Sequence, residues 1–320
     1  MPFPSSSDDD IRNVGQRFLS EVSGFTPSLV DTARETVATV SRPNWAFEWG
    51  LSRWVGAAMG LVPEAVESLV LANVYMLAFG RILDDVVDGE HQPSDQSLSH
   101  SALTMATLHH LWLSQYADLL AGVGLRARRF WPYFREYMSE WLGVLMQDTH
   151  PKHTFRRYEK DDWTWLAWQG APLKVCCAAA CILSDREDAV PLLAAAVDDI
   201  MIAVEMLDAT FDWLGDLDAG RYNCFVAYCS DLPQTEENLS GNRRAVLEEI
   251  HLGKAAKPYF ELMCSSLARA AEAAENVPCP GLTEFALSLI EESRSCSNYM
   301  VEQATLRMNV AVAAASKRDS

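Results

Sequence analysis

Basic residues are the scarce class in this sequence. Lysine and arginine number 26 against 44 aspartates and glutamates, a formal net charge of −18, and no Lys/Arg-rich run offsets it locally. A surface that acidic repels nucleic acid and anionic membranes, so binding to either is not expected. Paired cysteine spacings are also missing. The eight cysteines form no CxxC pair and no His-partnered set, and Cys176, Cys177 and Cys181 sit in the Ala-rich run KVCCAAACIL. Free core thiols in a reducing, cytoplasmic setting are therefore expected rather than disulfides or zinc. The N-terminal MPFPSSSDDDIRN lacks a basic region followed by an apolar stretch, so no secretory signal is expected. No uninterrupted membrane-length apolar run is present. Val66–Leu83 comes nearest, but Glu67, Asn73 and Arg81 interrupt it and it runs into Asp84-Asp85. It reads as a buried core helix, not a membrane span. Internal repeats, low-complexity linkers and alternating β-branched runs are absent too.

Apolar side chains, by contrast, are plentiful. They make up 49% of the residues and charged ones 22%, enough to build a sizeable core and exclude wholesale disorder. The apolar positions recur at helical spacing and are separated by short polar or Pro/Gly breaks. The pattern predicts helices over 8–22, 28–40, 45–59, 63–88, 97–121, 126–147, 155–169, 171–183, 187–219, 242–274 and 281–313. A kink or short break is expected at Gly170-Ala171-Pro172. The expectation is an all-α chain forming a single domain over 1–320, a helical bundle with frayed ends at about 1–8 and 315–320.

An acidic protein that handles an anionic ligand needs a local inversion of charge, and divalent metals on clustered carboxylates provide one. Two constellations fit. In LANVYMLAFGRILDDVVDGE, Asp84, Asp85 and Asp88 form D-D-x-x-D, with Asp84 and Asp88 on one helix face and Asp85 beside them. Like charges four apart destabilise an isolated helix by about 0.2–0.5 kcal/mol per pair, a cost that cations remove. Mg²⁺ suits such a site, because it takes one or two carboxylates together with water and phosphate oxygens. On its own the motif is explained equally well by a polar helix end in solvent.

The second constellation is more specific. Asp208, Asp212 and Asp216 are spaced i, i+4, i+8 along one stripe, and Leu207, Phe211 and Leu214 beside it are expected to pack inward. Arg221 follows after Gly220, placed to reach an anion. A solvent face bearing acids is the plainer explanation, yet Arg221 is the one base near these carboxylates in the segment. Two such rows on long helices can meet across a bundle and hold magnesium against a diphosphate.

With these residues the sequence resembles the class I isoprenoid synthase superfamily, and within it the class I terpene synthases. Asp84-Asp85-x-x-Asp88 resembles the first Asp-rich motif of that family. Asp208-x-x-x-Asp212-x-x-x-Asp216 is similar to the second metal-binding triad, N/D-D-x-x-S/T-x-x-x-E, with Ala209, Asp212 and Asp216 departing from it. Followed by Gly220-Arg221-Tyr222, the same stripe also resembles the second motif of squalene and phytoene synthases, D-x-x-x-D-x-x-x-G-R. Chain-elongating trans-prenyltransferases hold a second diphosphate with basic residues flanking the first motif. Here GEHQPSDQSLSH after Asp88 contains no arginine, which disfavours elongation.

The resemblance implies an all-α bundle around a central apolar cavity. It also implies three magnesium ions with substrate bound, held by Asp84, Asp85, Asp88, Asp208, Asp212 and Asp216. The expected activity is ionisation of a C15 or C20 prenyl diphosphate and cyclisation of the carbocation. Head-to-head condensation, another trans-prenyl transfer, or a non-catalytic helical binding protein are the alternatives. Such enzymes contact the diphosphate through cations, for which Arg221 with Tyr222, Lys174, Arg156, Arg157 and Lys160 are the candidates. Lys174 begins an apolar segment, where an ammonium needs an anion. The chain has ten tryptophans, and aromatic faces stabilise carbocations by up to about 2 kcal/mol when desolvated. Most are expected to be plain core. Phe79, five residues before Asp84, Phe211 and Trp168 are the better candidates for a substrate wall. A homodimer is compatible with the pattern, though no motif calls for one.

Overall fold

The computed structural model describes residues 8–42, 45–87, 95–148, 163–219, 223–229, 248, 250 and 256–316. Among these residues there is no β-strand, and the all-α expectation holds. The helices are α1 (Asp8–Phe25), α2 (Val30–Val40), α3 (Ala46–Ala58), α4 (Pro63–Val87), α5 (Asp95–Ala121), α6 (Ala127–Asp148), α7 (Thr164–Gln169), α8 (Lys174–Leu183), α9 (Val190–Ala219), α10 (Cys224–Cys229), α11 (Ala256–Asn276) and α12 (Pro280–Ser316). The periodic apolar pattern placed nearly all of them within a few residues. The break at Gly170-Ala171-Pro172 is a 3₁₀ turn over Ala171–Leu173 that leads into α8. The expected start of the helix over 155–169 lies outside the described residues, as does most of 242–255.

The described residues divide into two compact units. The first falls within Met1–His150, Trp168–Val197 and Glu272–Phe285, and the second within Pro151–Ala167, Asp198–Ala271 and Ala286–Ser320. In the first, α4 packs against α1, α2, α3, α5 and α8. It is buried continuously from Leu69 to Ala78, so its hydrophobicity on every side reflects a core position. By length and composition alone this helix is also apolar enough to cross a membrane.

The partner helices are amphipathic. Val14, Phe18 and Val22 form the buried stripe of α1, and Leu108, Trp112, Tyr116 and Leu120 that of α5. Phe130, Phe134, Tyr137, Trp141 and Val144 of α6 alternate by four and three residues, the spacing of a helix-packing seam. Residues Lys174 to Ile182 of α8 are all buried, and small Ala and Cys side chains are what allow so crowded a helix.

In the second unit α9 buries Met201, Ala203, Met206, Leu207, Trp213 and Leu217. Tyr259 of α11 is wholly buried and donates its hydroxyl to Met206 O at 2.8 Å. Phe225, Tyr228 and Trp163 gather around its ring at 5.1, 5.3 and 6.4 Å between centroids. The cysteines behave as expected. All eight are free thiols, most of them buried.

Candidate functional site

The apolar run of α4 carries the first acidic motif to the end of the helix, in the first unit. Asp84 is 51% exposed at its side chain and Asp85 17%. Both are met by Arg81 one turn earlier, at 3.5 Å to Asp84 and 2.5 Å to Asp85. The i, i+3 and i, i+4 spacing of Arg81 to two acids is the signal in the sequence for this pairing. Asp88 lies outside the described residues.

One turn below this motif, Phe79 is half-buried among aromatic rings. His109 and Trp112 of α5 lie 5.6 and 6.4 Å away, and Trp141 of α6 meets it edge-on at 5.9 Å. Burial, reinforced by the charge of His110, lowers the pKa of His109. Phe79 thus belongs to an aromatic cluster about one turn before the first acidic motif. His109, carrying no motif, was not legible in the sequence.

The second motif lies on α9 in the second unit. Asp208 and Asp212 are exposed and Asp216 half-buried, with Met206, Leu207, Trp213 and Leu217 on the opposite, buried side. Loss of surrounding water raises the carboxyl pKa of Asp208, and the charges of Asp212 and then Asp216 raise it further. The three carboxylates therefore share one stripe closely enough to repel each other. Two of the neighbours depart from expectation. Leu207 packs inward, but Phe211 is 64% and Leu214 43% exposed. Phe211 falls largely on the far side of the helix from Met206, Trp213 and Leu217, so burying that side leaves its ring in the open.

Asp216 receives a hydrogen bond from Asn223 Nδ2 at 2.9 Å, and the same nitrogen reaches Ala209 O at 3.0 Å. Asn223 Oδ1 accepts from the backbone N–H groups of Phe225 and Val226, capping α10. Neither α10 nor this contact was anticipated, although an asparagine ahead of the apolar CFVAYC is a helix-start signal.

Lys174 meets a carboxylate of the protein itself. It is 2% exposed, and its ammonium is 2.5 Å from Glu140 and 4.8 Å from the centre of the Tyr137 ring. The anion demanded by its burial is thus a protein carboxylate from α6, which removes the reason to assign it to a diphosphate. Trp168 is half-buried on α7. Arg156, Arg157, Lys160, Arg221 and Tyr222 lie outside the described residues.

The donor chemistry of these acids fits magnesium. The ligands on offer are carboxylate oxygens with no thiolate or imidazole among them, and the crowding at Asp208 is a charge excess that a cation relieves. Among the described residues no three His, Cys, Asp or Glu side chains converge as a ready-made cage. Magnesium held here would draw the rest of its shell from water and phosphate oxygens, as is usual for this ion.

No family model matches the chain and no curated protein matches it. Solved structures do. The geranylgeranyl pyrophosphate synthetase of Pyrococcus horikoshii Ot3 superposes with a TM-score of 0.68 at 14% identity, covering 87% of this chain and 94% of that one. The geranylgeranyl pyrophosphate synthetase of Geoglobus acetivorans gives 0.65 at 14% identity, over 88% and 98%. A polyprenyl synthetase of Streptomyces coelicolor A3(2) gives 0.61 at 14% identity, again over 88% and 98%. At such low identity the likeness speaks for architecture alone, and the chain shares the all-α fold of these structures.

Proposed function

We propose that the chain is a magnesium-dependent enzyme that ionises a prenyl diphosphate and transfers the allylic cation to a second prenyl unit. The observation that carries this reading is the Asp208–Asp212–Asp216 stripe, three crowded carboxylates on one helix face, on a fold shared with proteins named as prenyl diphosphate synthetases. Magnesium, when bound, supplies Lewis-acid assistance to departure of the diphosphate. Asp208, Asp212 and Asp216 in the second unit offer oxygens for it, as do Asp84, Asp85 and Asp88 by the first motif. Arg221, Tyr222 and the Arg156–Arg157 pair are the candidates for direct contact with the diphosphate. In the step itself the C–O bond breaks with its electron pair leaving on the diphosphate, a double bond of the acceptor attacks the cation, and a proton is lost. Phe79, with His109, Trp112 and Trp141 around it, presents aromatic surface that stabilises positive charge and excludes water. The free thiols suit a reducing compartment such as the cytoplasm.

Cyclisation of a single C15 or C20 diphosphate is the second reading. It is favoured by residues 89–100, GEHQPSDQSLSH, which contain no lysine or arginine to hold a second diphosphate.

Incubation with C10, C15 and C20 prenyl diphosphates, with and without isopentenyl diphosphate and Mg²⁺, separates the readings by product. A Mg²⁺-dependent diphosphate longer by five carbons is the expected result. Hydrocarbon or alcohol of unchanged carbon number would establish the cyclase instead, and a doubled carbon number would establish head-to-head condensation. If no substrate releases pyrophosphate, and Asp212→Asn changes nothing, the enzyme reading fails in favour of a binding protein.

A further inference from the structure

The amide of Asn223 does more than a helix cap requires. The residue is 4% exposed, at the step between the C-terminal end of α9 and the start of α10. Its Oδ1 accepts from Phe225 N at 3.0 Å and Val226 N at 3.1 Å. Both donors are backbone N–H groups, so they fix which end of the amide is oxygen. Nδ2 is thereby turned the other way, where it donates to Ala209 O at 3.0 Å and Asp216 Oδ2 at 2.9 Å. Capping needs only the oxygen, and serine, threonine or aspartate would supply one. What asparagine adds is a donor locked in place by the cap and aimed at a carboxylate of the acidic stripe.

We propose that Asn223 is the positioning residue for Asp216. With one carboxylate oxygen pinned to the amide, the side chain gives up much of its rotamer freedom and is held in the acidic stripe at a fixed angle. The short helix α10 serves as the frame that holds the amide at its angle. The inference rests on the reading of the stripe as a magnesium and diphosphate site. Groups that orient a ligating carboxylate without touching the metal commonly change metal affinity by about 10–100-fold when removed.

Asn223→Ser keeps an oxygen able to cap α10 and removes both amide donors. Binding of Mn²⁺ in the presence of inorganic pyrophosphate is read from the electron paramagnetic resonance signal of free Mn²⁺. Four proteins are compared below their melting transitions: wild type, Asn223→Ser, Asp216→Asn and the double variant. Asn223→Ser is expected to weaken binding about tenfold in the wild-type background and less than about twofold where Asp216 is already replaced, the non-additivity of a residue acting through another. An equal loss in both backgrounds means that the amide merely holds α10, and overturns the proposal. So does unchanged binding by Asn223→Ser. Should that variant not fold, Asn223→Asp takes its place in the same cycle. It is isosteric and able to cap but unable to donate to Asp216, and equal changes in the two backgrounds again overturn the proposal. If the wild type itself shows no saturable Mn²⁺–pyrophosphate binding, the functional reading falls and the inference with it. Saturable wild-type binding with an adverse cycle removes the inference alone.

Discussion

Arg81 shows how a single side chain conditions a motif. Its guanidinium, 2.5 Å from Asp85 and 3.5 Å from Asp84, pairs with the carboxylates that magnesium would use under the proposed function. Pairs of this kind at i, i+3 and i, i+4 on a partly exposed helix contribute only about 0.2–0.5 kcal/mol each. An ion with two charges can therefore displace the arginine at small cost. Arg81→Gln should remove a competitor and lower the Mg²⁺ concentration needed for half-maximal pyrophosphate release severalfold, read from a Mg²⁺ titration. An unchanged or higher requirement would show that Arg81 helps the bound state instead. Lys174 is the complementary lesson. Its position ahead of an apolar segment correctly implied an anion, but sequence could not say whether that anion was a ligand or Glu140, thirty-four residues upstream.

At the scale of elements, close approach in the first unit depends on two glycines that meet one ring. The Trp54 indole lies over Gly50, one turn earlier on α3, and against Gly281 at the start of α12. A Cβ at either position would run into the ring. Phe47 and Phe285 complete the contact at 6.5 and 5.5 Å from Trp54. Gly281→Ala should force the indole aside and cost about 1–3 kcal/mol, the usual range for overpacking, seen as a lower Tm. A variant that melts with the wild type would mean that Trp54 has room to turn away. The same scale accounts for what the periodicity missed. The six residues of α10 are too few to display a 3.6-residue pattern, and α10 is set by the Asn223 cap and by burial of Cys224, Phe225 and Val226.

For the molecule as a whole, stability is linked to a carboxyl group that sequence gives no reason to single out. Glu48 on α3 has Oε2 buried without a hydrogen-bond partner among the described residues. Burial raises its pKa to about 7, opposed in part by its own backbone N–H. A raised acid pKa means that the folded chain binds this proton more tightly than the unfolded one. Its contribution to stability is thus complete below the ordinary carboxyl value and is lost as the pH rises from about 4.5 to about 7. Thermal melts between pH 5 and pH 8 should show this decline, and Glu48→Gln should flatten it. A parallel pH profile in the variant would assign the decline to other groups.

The sequence by itself determined the fold class and almost every helix, because a 3.6-residue apolar period and Pro/Gly breaks are local properties that each segment carries with it. It also determined the acidic stripe of α9, since residues four apart on a helix share a face wherever that helix packs. Only the tertiary structure decided which side of α9 is buried, leaving Phe211 and Leu214 in the open. It alone paired Lys174 with Glu140, set His109 beside Phe79, and brought the amide of Asn223 to Asp216. Those contacts join residues whose separation in the chain bears no fixed relation to their distance in space, and packing is what sets that distance.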